Sequence, residues 1–206
     1  MTHLSEKILV ATRNKGKLVE LLRIFQEEIP GIELLTLDAF PGAKEVEESG
    51  ETFEANSLLK AEAAFELSGL PSLADDSGLI VDALGGAPGV HSARYSGSGD
   101  IGNIERVLHE LRELGALSEG ARTARFVTVA TYIDGDGTIV MRGELEGVIL
   151  PAPRGDGGFG YDPIFKPLGS DLSLAEMAAH EKDAISHRGR ALRLLAPKVG
   201  LRFRHS

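Results

Sequence analysis

An α/β fold, with helices packed on a sheet, is predicted by the way the chain opens. Lys7-Ile8-Leu9-Val10-Ala11-Thr12 is a short apolar run, partly β-branched, and reads as a buried strand. Directly after it Leu18, Leu21, Leu22, Phe25 and Ile29 recur at the spacing of one helical face, and Pro30-Gly31 ends that pattern. Ile32 to Leu37 reads as a second strand. The order strand, polar turn, helix, strand is the seed of a sheet covered by helices.

The remaining elements follow from the same signals. Residues 41–51 form an acidic loop carrying Pro41, Gly42 and Gly50. A second helix is predicted from Thr52 to Ser68, with Phe53, Leu58, Ala61 and Phe65 inward. Pro71 restarts the chain into Leu73-Ala74-Asp75-Asp76, read as a strand end, followed by Leu79-Ile80-Val81. A glycine-rich loop from Gly85 to Gly99 precedes a helix near Ile101–Leu114. Phe126 to Ile133 and Thr138 to Leu150 read as a hairpin across Asp134-Gly135-Asp136-Gly137. A glycine-rich stretch at 155–160 leads into Tyr161-Asp162-Pro163, and the C-terminal third reads as helical, with Pro197 closing the last helix. No linker, repeat or charge block divides the chain, so residues 1–206 are read as one domain.

Composition excludes several function classes. A chain of 206 residues can bury roughly 70% of the surface it exposes when unfolded, and it needs no disulfide or structural zinc to fold. It has no cysteine, which removes thiolate metal sites and cysteine nucleophiles together. With 22 basic and 31 acidic side chains the net charge is −9, unsuited to holding a nucleic acid polymer by phosphate neutralisation. No uncharged run reaches the roughly 18 residues that a membrane span requires. Met1 to Lys7 has neither a signal core nor an arginine-rich transit pattern, so a cytoplasmic protein is expected.

Several familiar motifs fail at identifiable positions. Gly16-Lys17 resembles the end of a P-loop, but Leu18 stands where serine or threonine belongs and Ala11 where glycine belongs. Gly155, Gly157 and Gly160 match G-x-G-x-x-G, yet no helix starts into Tyr161-Asp162-Pro163. His180-Glu181 lacks the second zincin histidine, since position 184 is alanine. The Asp134 turn lacks the calcium-binding glutamate, since position 145 is leucine.

Four features remain. Thr12-Arg13-Asn14-Lys15-Gly16-Lys17 lies between strand and helix, where free backbone N–H groups and Lys17 suit an anion; capping by Asn14 is the competing explanation. Glu45, Glu47, Glu48 and Glu51 in one loop, with Asp75-Asp76-Ser77-Gly78, supply the hard oxygen ligands that suit magnesium. Adjacent aspartates repel unless a cation offsets them. Gly85 to Gly97 forms a loop whose glycines allow close backbone approach. Finally, Gly158-Phe159-Gly160-Tyr161-Asp162 with Lys182 and Ser186-His187-Arg188 combines an aromatic for stacking on a base with donors for carbonyl and phosphate oxygens. Together these describe a nucleotide site.

The motifs that carry them run in order along nearly the whole chain. They are Ala11-Thr12-x-Asn14-x-x-Lys17, Glu47-Glu48-Ser49-Gly50-x-Thr52-Phe53, Asn56 with Lys60-Ala61, and Ala74-Asp75-Asp76-Ser77-Gly78-Leu79. Leu84 to Gly97, Gly157 to Phe165 and Ser186-His187-Arg188-Gly189-x-Ala191-Leu192 continue the series. In these segments the sequence strongly resembles the noncanonical purine nucleoside triphosphate pyrophosphatases, the inosine/xanthosine triphosphate pyrophosphatase family.

That resemblance implies a twisted mixed sheet in two lobes around a central cleft, assembled as a homodimer. It implies Mg²⁺-dependent hydrolysis of ITP, XTP and their deoxy forms to the monophosphate plus pyrophosphate. Carried over by position, Thr12, Arg13, Asn14, Lys15, Gly16 and Lys17 would bind the triphosphate, with Lys60 a further phosphate ligand. Glu47 and Asp76 would hold the metal, Asp76 would be the general base and Ser77 a substrate contact. Phe159, Gly160, Tyr161, Asp162, Lys182, His187 and Arg188 would line the base and phosphate pocket. Where many members carry glutamate before Asn56 this chain has Ala55, which leaves Glu48, Glu51 and Asp75 as secondary candidates. Donors from His187 and Arg188 would favour the 6-carbonyl of hypoxanthine and xanthine over the amino group of adenine, a distinction worth on the order of 10⁴-fold. Two alternatives stand beside this reading: a pyrophosphatase for other modified nucleotides, and a nucleotide-binding regulator that does not hydrolyse. The regulator would not need the carboxylates.

Overall fold

The computed structural model describes residues 7–44 and 46–204. Met1 to Glu6, on which the reading of the amino terminus rests, and Glu45 of the acidic loop lie outside the described residues. The strands are β1 (Lys7–Val10), β2 (Glu33–Thr36), β3 (Ser72–Val81), β4 (Thr123–Asp134), β5 (Gly137–Ile149) and β6 (Phe165–Pro167). The helices are α1 (Lys15–Glu28), α2 (Phe53–Ser68), α3 (Gly99–Glu113), α4 (Ala179–Ile185) and α5 (His187–Arg204).

All six strands belong to one mixed sheet in the order β2-β1-β3-β4-β5-β6. β1 runs parallel to β2, with Val10 opposite Thr36, and parallel to β3, with Val10 opposite Leu73. β5 and β6 are antiparallel, with Val148 opposite Lys166. The Gly135-Asp136 loop between β4 and β5 has two residues, a length that joins only antiparallel neighbours. The chain forms two compact units, Met1–Asp76 with Thr128–Gly143 and Arg188–Ser206, and Ser77–Val127 with Glu144–His187. β3, β4 and β5 each contribute residues to both.

The first unit is covered on both sheet faces. Ile8 and Val10 pack with Leu21, Ile24 and Phe25 of α1 and with Leu192, Leu195 and Val199 of α5. Leu9 and Ala11, pointing the other way, pack with Ala61 and Ala64 of α2 and with Ala74. Burial on both faces is why β1 reads as an unbroken apolar run. In the second unit Leu79 and Val81 of β3 meet Val107, Leu108 and Leu111 of α3, together with Phe126, Ile149, Phe165 and Leu174.

Helix boundaries follow local chemistry. The Oδ1 of Asn14 accepts the Lys17 N–H at 3.0 Å and caps α1, while the Thr12 hydroxyl oxygen accepts the Asn14 N–H at 3.2 Å. Thr52 caps α2 by accepting from the Ala55 N–H at 3.1 Å, and Gly69 ends it in the left-handed region at φ +67°.

Three readings are corrected by the fold. Asp75 and Asp76 do not end a strand but sit in the middle of a ten-residue one, because cations meet them there. The inward face of α2 holds Phe53, Ala61 and Ala64 together with the polar Asn56 and Ser57, while Leu58 and Phe65 are only partly covered. Ser57 is accommodated by a 2.6 Å hydrogen bond with the Thr131 hydroxyl. The C-terminal third is helical only from Ala179, and Pro197 lies inside α5 rather than at its end. Pro197 is exposed while Val199 beyond it is fully buried, so core packing continues the helix past the missing N–H.

A proline in a helix interior carries a penalty that alanine lacks. Pro197→Ala is therefore expected to raise the unfolding free energy by about 1–3 kcal/mol, read from the urea midpoint.

Candidate functional site

The alternation of a β-strand governs the first cluster. Leu73 belongs to the core formed with α1 and α5 and Ala74 to the core formed with α2, so Asp75 and Asp76 leave β3 on those same opposite faces. On the α1 and α5 face, Asp75 Oδ2 lies 3.2 Å from Lys17 Nζ and 3.4 Å from Arg188 Nε. Arg188, only 2% exposed, also pairs through Nη1 with Glu20 of α1. On the α2 face, Asp76 Oδ2 accepts from Asn56 Nδ2 at 3.2 Å and Oδ1 lies 3.3 Å from Lys60 Nζ. The same Lys60 ammonium lies 2.7 Å from Glu48 Oε1, so one cation gathers two carboxylates.

Adjacent carboxyl groups thus acquire opposite proton affinities. Burial by itself would raise Asp75, but Lys17 and Arg188, with Lys60 behind them, hold it well below the usual carboxylate range. Asp76 is raised above its ordinary value by burial, with Glu48 and Asp75 adding to the rise and Lys60 and Lys17 opposing it. Burial pushes the Lys17 ammonium down against the pull of Asp75. Burial also acts to lower Lys60, yet Asp76, Asp75 and Glu48 leave it raised.

The second cluster lies within the other unit. Asp162 Oδ2 accepts from the Phe159 N–H at 2.8 Å and from Lys182 Nζ at 2.7 Å, and that ammonium stands 4.8 Å from the Phe159 ring centroid. Gly158 has φ +73°, and a Cβ there would come within 2.1 Å of Asp162 Oδ2, so only glycine fits. Tyr161 Oη donates to the Ser92 carbonyl at 2.8 Å. His187 is buried and stacked on Phe126, with centroids 4.6 Å apart and planes at 9°. The arrangement is a half-buried aromatic face held beside a buried cation.

The other sequence candidates are placed as follows. Thr12 and Asn14 take part in the helix cap, Lys15 is exposed and Gly16 half-buried. Arg13 is exposed and donates through Nη2 to the Ala43 carbonyl at 2.8 Å. Ser77 is half-buried in β3. Of the loop glutamates, Glu47 and Glu51 are exposed and Glu48 is the one brought to Asp76 through Lys60. Arg188 joins the aspartate cluster, whereas Phe159, Tyr161, Asp162, Lys182 and His187 all belong to the other unit. The Gly85–Gly97 loop is tied to β3 and α3: Ser92 Oγ accepts the Leu79 N–H at 2.8 Å, and Asn103 Nδ2 donates to the Ser92 and Ala93 carbonyls.

Two partners escaped the sequence reading. Glu20 is buried, and its signal was the spacing Lys17, Glu20, Ile24, which puts it on the inward stripe of α1. Asn56 was seen only within a motif; it is fully buried and links Asp76 to the acidic loop by accepting the Gly50 N–H at 2.8 Å.

The donor set fits a hard divalent cation. Glu48 and Asp76 present carboxylate oxygens already gathered by one positive charge, and magnesium commonly takes one or two carboxylates and completes its shell with water and phosphate oxygens. Among the described residues no three acidic or histidine side chains form a cage of their own.

Removing one anion from a buried ion network weakens the compensation of the cation it met. Glu20→Ala, which takes one carboxylate from the buried Arg188, is expected to lower stability by about 1–3 kcal/mol in denaturant unfolding.

Comparison with known proteins places the chain in a family. A sequence model of the Ham1 family matches residues 8–198. The dITP/XTP pyrophosphatase of Geobacter sulfurreducens is 50% identical over 197 residues, covering 94% of this chain and 96% of its own. The protein of the same name from Mycobacterium tuberculosis H37Rv is 49% identical over 196 residues, covering 94% of this chain and 95% of its own. A HAM1 protein structure from Coxiella burnetii superimposes with a TM-score of 0.83 at 38% identity, covering 94% of this chain and 98% of the other. With its mixed sheet, its paired aspartates and a family match over nearly its whole length, this chain belongs to the Ham1 family.

Proposed function

We propose that this chain is a nucleoside triphosphate pyrophosphatase that hydrolyses ITP, dITP and XTP to the monophosphate and pyrophosphate, clearing these bases from the nucleotide pool. The observation that carries the reading is the placement of two adjacent carboxylates on opposite faces of one strand, Asp75 met by Lys17 and Arg188 and Asp76 by Lys60 and Asn56. The names of relatives 49% and 50% identical to it support the substrate class. Residues 1–206 are read as one domain, with β3, β4 and β5 each contributing residues to both units.

Water attacks one phosphorus, the bond to the departing pyrophosphate breaks, and the water proton passes to a base. Asp76 accepts that proton, with Lys60 and Asn56 holding its carboxylate in place. Lys17 and Lys60 neutralise charge on the phosphate oxygens, with the α1 amino terminus and the Thr12–Lys17 turn seating the triphosphate. Asp76 would hold the divalent ion, with Glu48 or the exposed Glu47 of the same loop as its second carboxylate. Mg²⁺, when bound, supplies positive charge to phosphate oxygens and acidifies the attacking water. Arg188 orders Asp75 and holds its charge, which separates it in role from the base-binding group.

Phe159 offers a face on which the purine stacks, with Lys182 beside it as a donor to the 6-carbonyl and His187, stacked on Phe126 in the same unit, as a second. Tyr161 and Asp162 hold that platform, and Ser77 contacts the substrate. An adenine amino group at the same place would leave those donors unpaired. The same reading expects a homodimer working in the cytoplasm, where nucleoside triphosphates are made and consumed.

Pyrophosphate release from ITP, XTP, dITP, GTP and ATP, with and without EDTA, tests the proposal. Release from the first three that chelation abolishes is expected; equal rates on ATP and ITP, or release of single phosphates, would overturn it. Asp76→Asn is expected to lose turnover by at least about 10²-fold while nucleotide binding, measured by calorimetry, survives. Near-normal turnover in that variant removes Asp76 from the role of base.

A further inference from the structure

The loop that carries Phe159 is fixed from an unexpected direction. The Gly160 N–H donates to Asp100 Oδ2 at 2.8 Å, although 60 positions separate them, and Asp100 lies in the first turn of α3. The Phe159 N–H donates to Asp162 Oδ2 at 2.8 Å. These two N–H groups belong to the peptide planes on either side of the Phe159 Cα. Because each plane is rigid, holding both restricts the backbone dihedrals of Phe159 and with them the direction of the Cα–Cβ bond that carries its ring.

Tyr161 continues the same pattern. Its hydroxyl donates to the Ser92 carbonyl, which also receives Asn103 Nδ2 at 3.3 Å. Asp100 and Asn103 are three residues apart and share one face of α3. The helix itself is well anchored: Val107 and Leu111 are fully buried, and Arg106 stands 4.0 Å from the Tyr95 ring while pairing with Glu110 at 2.8 Å. Gly158 and Gly160 flank Phe159 with φ of +73° and +60°, so the loop has freedom that external contacts must remove. Asp162 performs this on one side, where Lys182 neutralises it. On the other side the contact is Asp100, exposed and outside every motif of the sequence.

From this geometry we infer that Asp100 is a positioning residue for base recognition, acting through the Gly160 amide to aim the Phe159 ring. The inference rests on the reading of Phe159 as the purine platform. It requires only the acceptor oxygen of Asp100, not contact with substrate.

Steady-state kinetics on the full chain with ITP, for Asp100→Ala, Asp100→Asn, Phe159→Ala and the Asp100→Ala/Phe159→Ala double variant, test it. One hydrogen bond to a partly exposed amide corresponds to about 3–10-fold in binding. Asp100→Ala is expected to raise KM by that factor with kcat changed less than about two-fold, since only ground-state placement of the base is loosened. Asp100→Asn keeps an acceptor and should restore KM, and the double variant should be no worse than Phe159→Ala alone. An unchanged KM in Asp100→Ala beside a raised KM in Phe159→Ala overturns the role of Asp100 and leaves the platform standing. An unchanged KM in Phe159→Ala removes the platform and the inference with it. A full additional loss in the double variant, or a drop in Tm with parallel losses of kcat that Asn does not rescue, shows that Asp100 acts on the fold alone and overturns the inference.

Discussion

The pairing of Asp75 with Lys17 and Arg188 is the interaction on which the rest of the first unit turns. A carboxylate in the middle of a buried strand is tolerable only if cations meet it, and these come from α1 and α5, helices at opposite ends of the chain. Arg188 in turn needs a second anion, which Glu20 supplies. The network therefore closes on itself through β3, α1 and α5, while Asp76, on the other face, answers to α2. Because the charges on the first face are mutually satisfied, the sheet can carry a second carboxylate at the very next residue with a quite different proton affinity.

The second unit solves a different problem with different means. Its aromatic face owes its place to glycines that permit an unusual backbone and to carboxylates that then restrict it. The cation beside the ring is buried, so its charge is screened less by salt than a surface lysine would be. Polar anchoring of a loop by a packed helix is the common theme, seen again where Asn103 ties down Ser92 and Ala93.

Much of this was legible in the sequence where the physics is local. β1 and α1 declared themselves because apolar spacing and a cap coincide there, and the hairpin at Gly135-Asp136 because a short turn must join antiparallel strands. Asp75 and Asp76 were misread as a strand end because two acidic residues interrupt an apolar run, and the cations that permit them lie at positions 17, 60 and 188. Leu58 and Phe65 were assigned to the inward face of α2 by hydrophobicity, while Asn56 and Ser57 occupy it because each finds a hydrogen-bond partner. Glu20 hid among polar neighbours for the same reason: its partner is 168 positions away. Lys17, Lys60 and Lys182 could be picked out by motif, but which carboxylate each would meet depended on strand parity and helix placement. Net charge was silent about local balance, since three cations sit among Glu20, Glu48, Asp75 and Asp76.

The parity of β3 also constrains how this chain can change in length. Between Pro71 and Asp75 the strand is set by its pairing with β1, where Leu73 stands opposite Val10. Inserting or deleting one residue in that stretch would turn every later side chain of the strand to the other face. An insertion would put Asp75 where Lys60 and Asn56 now meet Asp76, and a deletion would put Asp76 where Lys17 and Arg188 now meet Asp75. Composition there can drift among small and apolar residues, but the residue count cannot, so the spacing from Pro71 to the aspartates is a stricter inheritance than the identity of what fills it.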